Sequence, residues 1–163
     1  MKLSSKKFKG KVFRHISKGR DAFDIAGSLI YGGRWNVTEE FGATYTSLTI
    51  SGAGNESVRA QKKANEQSRR IKEAREMVEI QVDLSRVFDF TADANLKLFK
   101  VTKRDLVGDD PAICRLLATI LYRAGFEGVL VPSAVGPETN LVIFPDNLKK
   151  SSILKGVQRE KFP

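Results

Sequence analysis

The sequence predicts an α+β domain, and three features lead there. Several short segments alternate apolar and polar residues with the period of a strand. One segment carries strong helical periodicity between a proline start and a glycine stop. Two short runs are wholly apolar, as strands buried on both faces are. The chain has 163 residues, 41% of them hydrophobic and 29% charged. That suits one domain with a sizeable core.

Taken in order, the chain begins with a basic arm, residues 1–11, carrying five lysines between Lys2 and Lys11. No apolar segment follows it, so it does not read as a secretory signal. Lys11 to Ser17 alternates as a short strand, with Val12, Arg14 and Ile16 on one face and Phe13 and His15 on the other. An arginine among apolar neighbours either reaches solvent or serves an anionic ligand. Residues 18–30 read as a linker with an apolar patch. Tyr31-Gly32-Gly33-Arg34-Trp35-Asn36 then pairs two glycines with a cation and the single tryptophan. A turn leading into the core and a ligand site are both compatible with it.

Ala43 to Ile50 is β-branched and reads as a strand with a hydroxyl-bearing face of Tyr45, Ser47 and Thr49. Ser51 to Asn55 reads as a turn. A helix is expected from Glu56 to about Glu76, with Ala60, Ala64, Gln67, Ile71, Ala74 and Val78 as a thin stripe and a strongly basic opposite face. Val78 to Leu84 alternates as a strand. Residues 85–108 are mixed, with Phe88, Phe90, Leu96, Leu98 and Phe99 as core candidates. The strongest helix follows Asp109-Asp110-Pro111, with Asp110 as its cap, Ile113, Leu116, Leu117, Ile120 and Leu121 as its buried stripe, and Gly125 as its stop. Gly128 to Pro132 and Leu141 to Phe144 are the apolar runs. A basic tail, 147–163, is expected to extend over the surface.

The formal net charge is +9. Such a chain attracts nucleic acid, anionic surfaces, acidic proteins or phosphate-bearing ligands. No zinc spacing and no RNP-like aromatic run accompanies the charge, so nucleic acid is not the expected partner. The single histidine and the single cysteine, Cys114, make a metal site unexpected and an intrachain disulfide impossible. Cysteine usage sets a reducing cytoplasm as the expected location. No apolar run approaches the length that spans a bilayer. The P-loop and GxGxxG patterns are missing. The polar residues in or beside strands are Arg14, Arg34, Tyr45, Glu56 and Ser133. Together they suggest a site for an anionic ligand.

Beyond that point the motifs carry a resemblance. Val12-Phe13-Arg14, Gly32-Gly33-Arg34-Trp35-Asn36, Tyr45-Thr46-Ser47, Glu56, Gly125-Phe126-Glu127-Gly128, Val131-Pro132-Ser133-Ala134 and Asn140-Leu141-Val142-Ile143-Phe144-Pro145 resemble, in order and spacing, the RES domain over residues 12–146. The resemblance implies an ADP-ribosyltransferase-like fold, with two small mixed β-sheets around an NAD cleft and flanking helices. It implies an NAD⁺-consuming glycohydrolase or phosphorylase that releases nicotinamide, the toxin of a toxin–antitoxin pair, working without a metal and paired with a cognate antitoxin. It places Arg14 and Arg34 on the pyrophosphate or ribose, Tyr45 at the nicotinamide end, Glu56 at the reacting ribose, and Ser133 and Asn140 as ligand-orienting groups. An ADP-ribosyltransferase with a protein acceptor is the first alternative. A non-catalytic basic binding module is the second. Two departures stand out: His15 follows the first arginine where the family often has an aromatic residue, and the segment around Glu56 is unusually polar and basic.

Overall fold

The computed structural model describes residues 2–66 and 74–162. Six strands form one sheet in the order β1-β2-β5-β4-β3-β6. They are β1 (Lys6–Ser17), β2 (Thr44–Ser47), β3 (Arg75–Asp89), β4 (Gly128–Pro132), β5 (Thr139–Ile143) and β6 (Ile153–Phe162). β1 also pairs with β3, from Lys6↔Val87 to Ser17↔Arg75, so the first five strands close into a ring. This corrects the expectation of two sheets: the hydrogen-bonded ladder is continuous. Against β2, however, β1 makes a single pair, Phe13↔Ser47. The two strands diverge on either side of it, and that opening is where the cleft lies.

The ring explains the two wholly apolar runs. In β4, Leu130 faces one buried cluster while Val129 and Val131 face the other. In β5, Leu141 and Ile143 face the first and Val142 the second. Both faces of these strands are covered, so no polar alternation is needed. The first cluster, with Val12, Ile80, Val82 and Leu84, fills the ring. The second packs Trp35, Phe41, Phe88, Phe90 and Phe126 against the helices.

Those helices are α1 (Ala26–Tyr31), α2 (Ile50–Glu66), α3 (Asp93–Leu98), α4 (Lys103–Val107) and α5 (Ala112–Arg123). α5 starts one residue later than expected, with Pro111 rather than Asp110 at the N-cap; the Asp110 carboxylate still accepts from Ala112 N at 3.0 Å, and Gly125 takes a φ of 83° past its end. Its buried stripe is rotated, though. Cys114, Leu117, Ala118 and Leu121 are buried, while Leu116 and Ile120 are exposed. Both stripes satisfy helical spacing, and the sheet selects the one with smaller side chains. Leu98 is likewise exposed rather than core.

Other elements correct the sequence reading. The basic arm from Lys6 onward is part of β1, and the expected linker, residues 18–30, holds all but the last residue of α1. The basic tail forms β6, laddered onto β3 from Asp83↔Ile153 to Arg75↔Phe162. Arg75 and Glu76 belong to a strand, not to the basic helix. The Ser51–Asn55 turn is the first part of α2, and the strand before it ends at Ser47. Of the expected helical stripe, Gln67 and Ile71 lie outside the described residues.

β3 carries an irregularity that organises the far side of the ring. Its pairing with β1 shifts between Lys6↔Val87 and Phe8↔Leu84, so three steps on β3 oppose two on β1. A bulge of this kind reverses which residues face inward and leaves ladder groups unpaired. Glu127, fully buried, serves them. Its Oε1 accepts from Ser85 N at 3.0 Å, Ser85 Oγ at 2.9 Å and Arg86 N at 3.1 Å, and its Oε2 accepts from Ser152 Oγ. Burial opposes the ionised carboxylate, but the donors from Ser152 and Ser85 outweigh it and hold its pKa below the usual range.

Candidate active site

A cleft of about 500 Å³ opens between β1, β2, α2 and the loop after α1. Of the sequence-derived candidates, Arg14, Arg34, Tyr45, Glu56 and Asn140 line it. Ser133 stands just behind, bonded to Glu56.

Glu56 is presented by α2. Thr49 Oγ1 accepts from Gly52 N at 2.9 Å, the geometry of a helix N-cap. Gly52 is required by proximity: a Cβ there would lie 2.1 Å from Ser47 Oγ. The helix therefore starts in contact with the end of β2, and one turn later Glu56 reaches the ends of β4 and β5. Its Oε1 accepts from Ser133 Oγ at 3.0 Å and from Asn140 Nδ2 at 2.9 Å. Ser133 Oγ in turn accepts from Val135 N at 3.2 Å. Ser133 is thus an orienting group, fixed at the end of β4. With Nδ2 given to Glu56, the Asn140 Oδ1 is buried without a hydrogen-bond partner among the described residues. A buried acceptor of this kind calls for a donor from a ligand or water.

The Gly-Gly-Arg-Trp-Asn loop is held from below. Tyr45 Oη accepts from Trp35 N at 2.9 Å and donates to Asn36 Oδ1 at 2.7 Å. Asn36 Nδ2 donates to Ser28 O at 2.8 Å and Phe41 O at 3.0 Å. A Cβ on Gly33 would lie 2.2 Å from Tyr45 Oη, so only glycine lets the loop rest on the tyrosine. Trp35 is buried and stacks on Phe90 with ring centroids 5.7 Å apart. Burial raises the Tyr45 pKa, which keeps the hydroxyl protonated as a donor. The tyrosine ring borders the cleft, while its hydroxyl is committed to the loop. Tyr45→Phe orphans the Trp35 N–H and the Asn36 carbonyl. It is expected to cost about 1–3 kcal/mol, read as a lower Tm, and to weaken ligand affinity as the loop loosens. An unchanged Tm would count against this bracing role.

Cations surround the cleft. Arg14 Nη1 donates to Ala22 O and Nη2 to Asp24 O at 3.3 Å, and burial lowers its pKa. Arg34 Nη1 donates to Leu106 O at 3.3 Å. Three further arginines were not singled out in the sequence: Arg59 on α2, Arg75 on β3 and Arg115 on α5 all line the cleft. Arg59 and Arg75 read as part of a basic helix face and Arg115 as a residue beside the apolar stripe of α5, so only the packing reveals them.

His15 also lines the cleft, and Arg75 Nη2 contacts its Nδ1. A guanidinium can only donate, so Nδ1 accepts and Nε2 carries the proton. Burial first, then the charges of Arg75 and Arg14, lower its pKa from 6.5 to about 3. Between those values the unfolded chain takes up the proton and the folded chain does not. His15 therefore withdraws stability as pH falls from 6.5 toward 3. As the chain has one histidine, NMR can follow it alone. Its ring resonances are expected to stay at the neutral-imidazole position from pH 8 to below 5; a midpoint near 6.5 would refute the buried contact with Arg75.

Cys114 is fully buried, with its thiol donating to Leu106 O at 3.3 Å, and burial raises its pKa. It is not a poised nucleophile. Among the described residues, no three His, Cys, Asp or Glu side chains cluster as a metal centre would need, and no helix is long and apolar enough to cross a membrane.

These features define the class: a mixed α/β domain whose arginine-lined cleft includes a carboxylate, Glu56, held by a serine and an asparagine. The chain belongs to the RES domain family, whose profile matches residues 11–163. The match runs through β6, beyond the boundary at residue 146 expected from the motifs. No curated protein matches the sequence significantly. Among solved structures, the chain is similar to one in the crystal structure of the M. tuberculosis MbcT–MbcA toxin–antitoxin complex. The TM-score is 0.80 at 24% identity, covering 97% of this chain and 86% of that one. At that identity the likeness speaks to the fold.

Proposed function

We propose that this RES domain degrades NAD⁺, releasing nicotinamide, and that it is the toxin of a toxin–antitoxin pair. The observation that carries the chemistry is Glu56. Its Oε1 is fixed by Ser133 and Asn140, which leaves Oε2 for a ligand at the edge of a cationic cleft. NAD⁺ matches this distribution of charge. Its pyrophosphate is a dianion suited to arginines, and its glycosidic carbon gains positive character as the ring departs.

The C–N bond to the ring already carries a good leaving group, because its electron pair neutralises the pyridinium. As it breaks, the ribose becomes oxocarbenium-like, and a fixed carboxylate stabilises it. The unpartnered Asn140 Oδ1 supplies an acceptor for a ribose hydroxyl beside Glu56. An acceptor oxygen then bonds to the anomeric carbon. With water, one proton is released and free ADP-ribose forms; with phosphate, the product is ADP-ribose 1″-phosphate. Positioning and charge stabilisation carry this chemistry, with no metal in the proposal.

The toxin assignment draws on the family and on the toxin–antitoxin complex that shares the fold. A cognate antitoxin is the proposed partner, and an acidic one would complement the net charge of +9. The cytoplasm, where NAD⁺ is plentiful, is the proposed location. The test is product analysis after incubating the purified chain with NAD⁺ labelled in the adenylate half. Label in ADP-ribose or its phosphate supports degradation. Label on protein favours the transferase. No product, together with steep salt-dependent DNA binding, favours the basic binding module.

A further inference from the structure

We infer that the pyrophosphate clamp of the cleft is formed by Arg34 and Arg115, with Arg115 on α5 as a ligand-binding residue and Arg14 as a brace for the loop beside it. The inference rests on the reading of the cleft as a dinucleotide site.

Three observations carry it. Both terminal nitrogens of Arg14 donate to main-chain carbonyls, those of Ala22 and Asp24. With both terminal nitrogens anchored, it ties β1 to the segment before α1. Arg115 is arranged the other way. Its Nε donates to Gly33 O at 2.9 Å, which fixes the plane of the guanidinium, while its Nη1 and Nη2 have no partner among the described residues. It is partly buried and lines the cleft. Third, Arg34 follows Gly33 in sequence, and its Nη1 is anchored on Leu106 O at 3.3 Å, in the segment leading to α5. Arg115 is thus pinned on Gly33 O, and Arg34, the next residue of the loop, is pinned on Leu106 O with the Cys114 thiol beside it; both line the same cleft.

That arrangement suits a pyrophosphate diester. The group carries two negative charges, and two planar forks can each take a pair of its oxygens. Preorientation by Gly33 O and Leu106 O lowers the ordering cost of the long side chains on binding. Gly33 permits the geometry, since any Cβ there would strike Tyr45. The Asp109 carboxylate lines the same wall but is exposed, so its opposing charge is screened by solvent.

The test is calorimetric titration of the full chain with ADP-ribose at several salt concentrations, alongside nicotinamide riboside, which lacks phosphate. Arg115→Gln keeps an N–H for Gly33 O and removes the charge. It is expected to weaken ADP-ribose by about tenfold to a hundredfold, to flatten the salt dependence, and to leave nicotinamide riboside binding and Tm close to wild type. Arg115→Lys restores part of the affinity, which separates charge from folding. Arg14→Gln lowers Tm and leaves the salt slope intact. If wild type binds ADP-ribose and Arg115→Gln binds it equally well with the same slope, the clamp is wrong and the NAD⁺ reading stands. Equal losses for ADP-ribose and nicotinamide riboside overturn it too, because Arg115 then acts only through the loop. If wild type binds neither NAD⁺ nor ADP-ribose, the NAD⁺ reading fails and the clamp falls with it.

Discussion

Glu56→Gln is expected to reduce nicotinamide release by at least about a hundredfold while leaving the fold and NAD⁺ affinity nearly unchanged. The substitution is close to isosteric. A glutamine Oε1 can still accept from Ser133 Oγ and Asn140 Nδ2, the two bonds that hold the carboxylate now. What disappears is the negative charge, which matters most as positive character develops on the ribose. The loss should therefore fall on kcat rather than KM. Turnover within about threefold of wild type would remove Glu56 from the chemistry. A matched rise in KM would recast it as a binding group.

The second large effect concerns the other motif glutamate. Glu127→Ala is expected to destabilise the chain by about 3–5 kcal/mol, since it strips several donors of their acceptor in a buried site. Ser85 N, Ser85 Oγ and Arg86 N all converge on Glu127 Oε1 at the β3 bulge, and Ser152 donates to Oε2. Removing the carboxylate leaves the bulge unpaired and frees the chain entering β6. Denaturant unfolding reads the loss directly. Because its pKa is held below the usual range, Glu127 stabilises the fold at neutral pH, and the contribution fades as pH falls through its folded value. A variant within about 1 kcal/mol of wild type would show that the bulge needs no such anchor.

The two glutamates also show how far the sequence can be read. Both sit in family motifs, and nothing in composition separates the ligand-facing one from the structural one. The distinction lies in neighbours far along the chain: Ser133 and Asn140 for Glu56, Ser85 and Ser152 for Glu127. The elements that could be read were those whose own residues decide their state. β4 and β5 are apolar throughout, and α5 has its own start and stop signals. β6 could not be read, because Lys155 to Lys161 is polar and exposed, and its strand conformation comes from the ladder with β3. The start of α2 was hidden by Gly52 and Gly54, which read locally as a turn. Gly52 is there because β2 and the helix touch.

At the site, order and spacing identified residues that the fold brings to one cleft, but not how each is used. Arg14 alternates with apolar residues on β1, and its anchoring is visible only with Ala22 and Asp24 in place. The family resemblance implies a contact of Tyr45 at the nicotinamide end, and its hydroxyl proves to hold the loop. Arg115 was overlooked because it lies beside an apolar stripe whose phase the sheet shifts by a residue.

The most direct measurement is a proton NMR time course of NAD⁺ incubated with the purified full chain, in buffer alone and with added phosphate. The account predicts loss of the NAD⁺ pyridinium resonances with matching growth of free nicotinamide. Intact NAD⁺ after prolonged incubation, with phosphate and with a protein acceptor extract supplied, would contradict it.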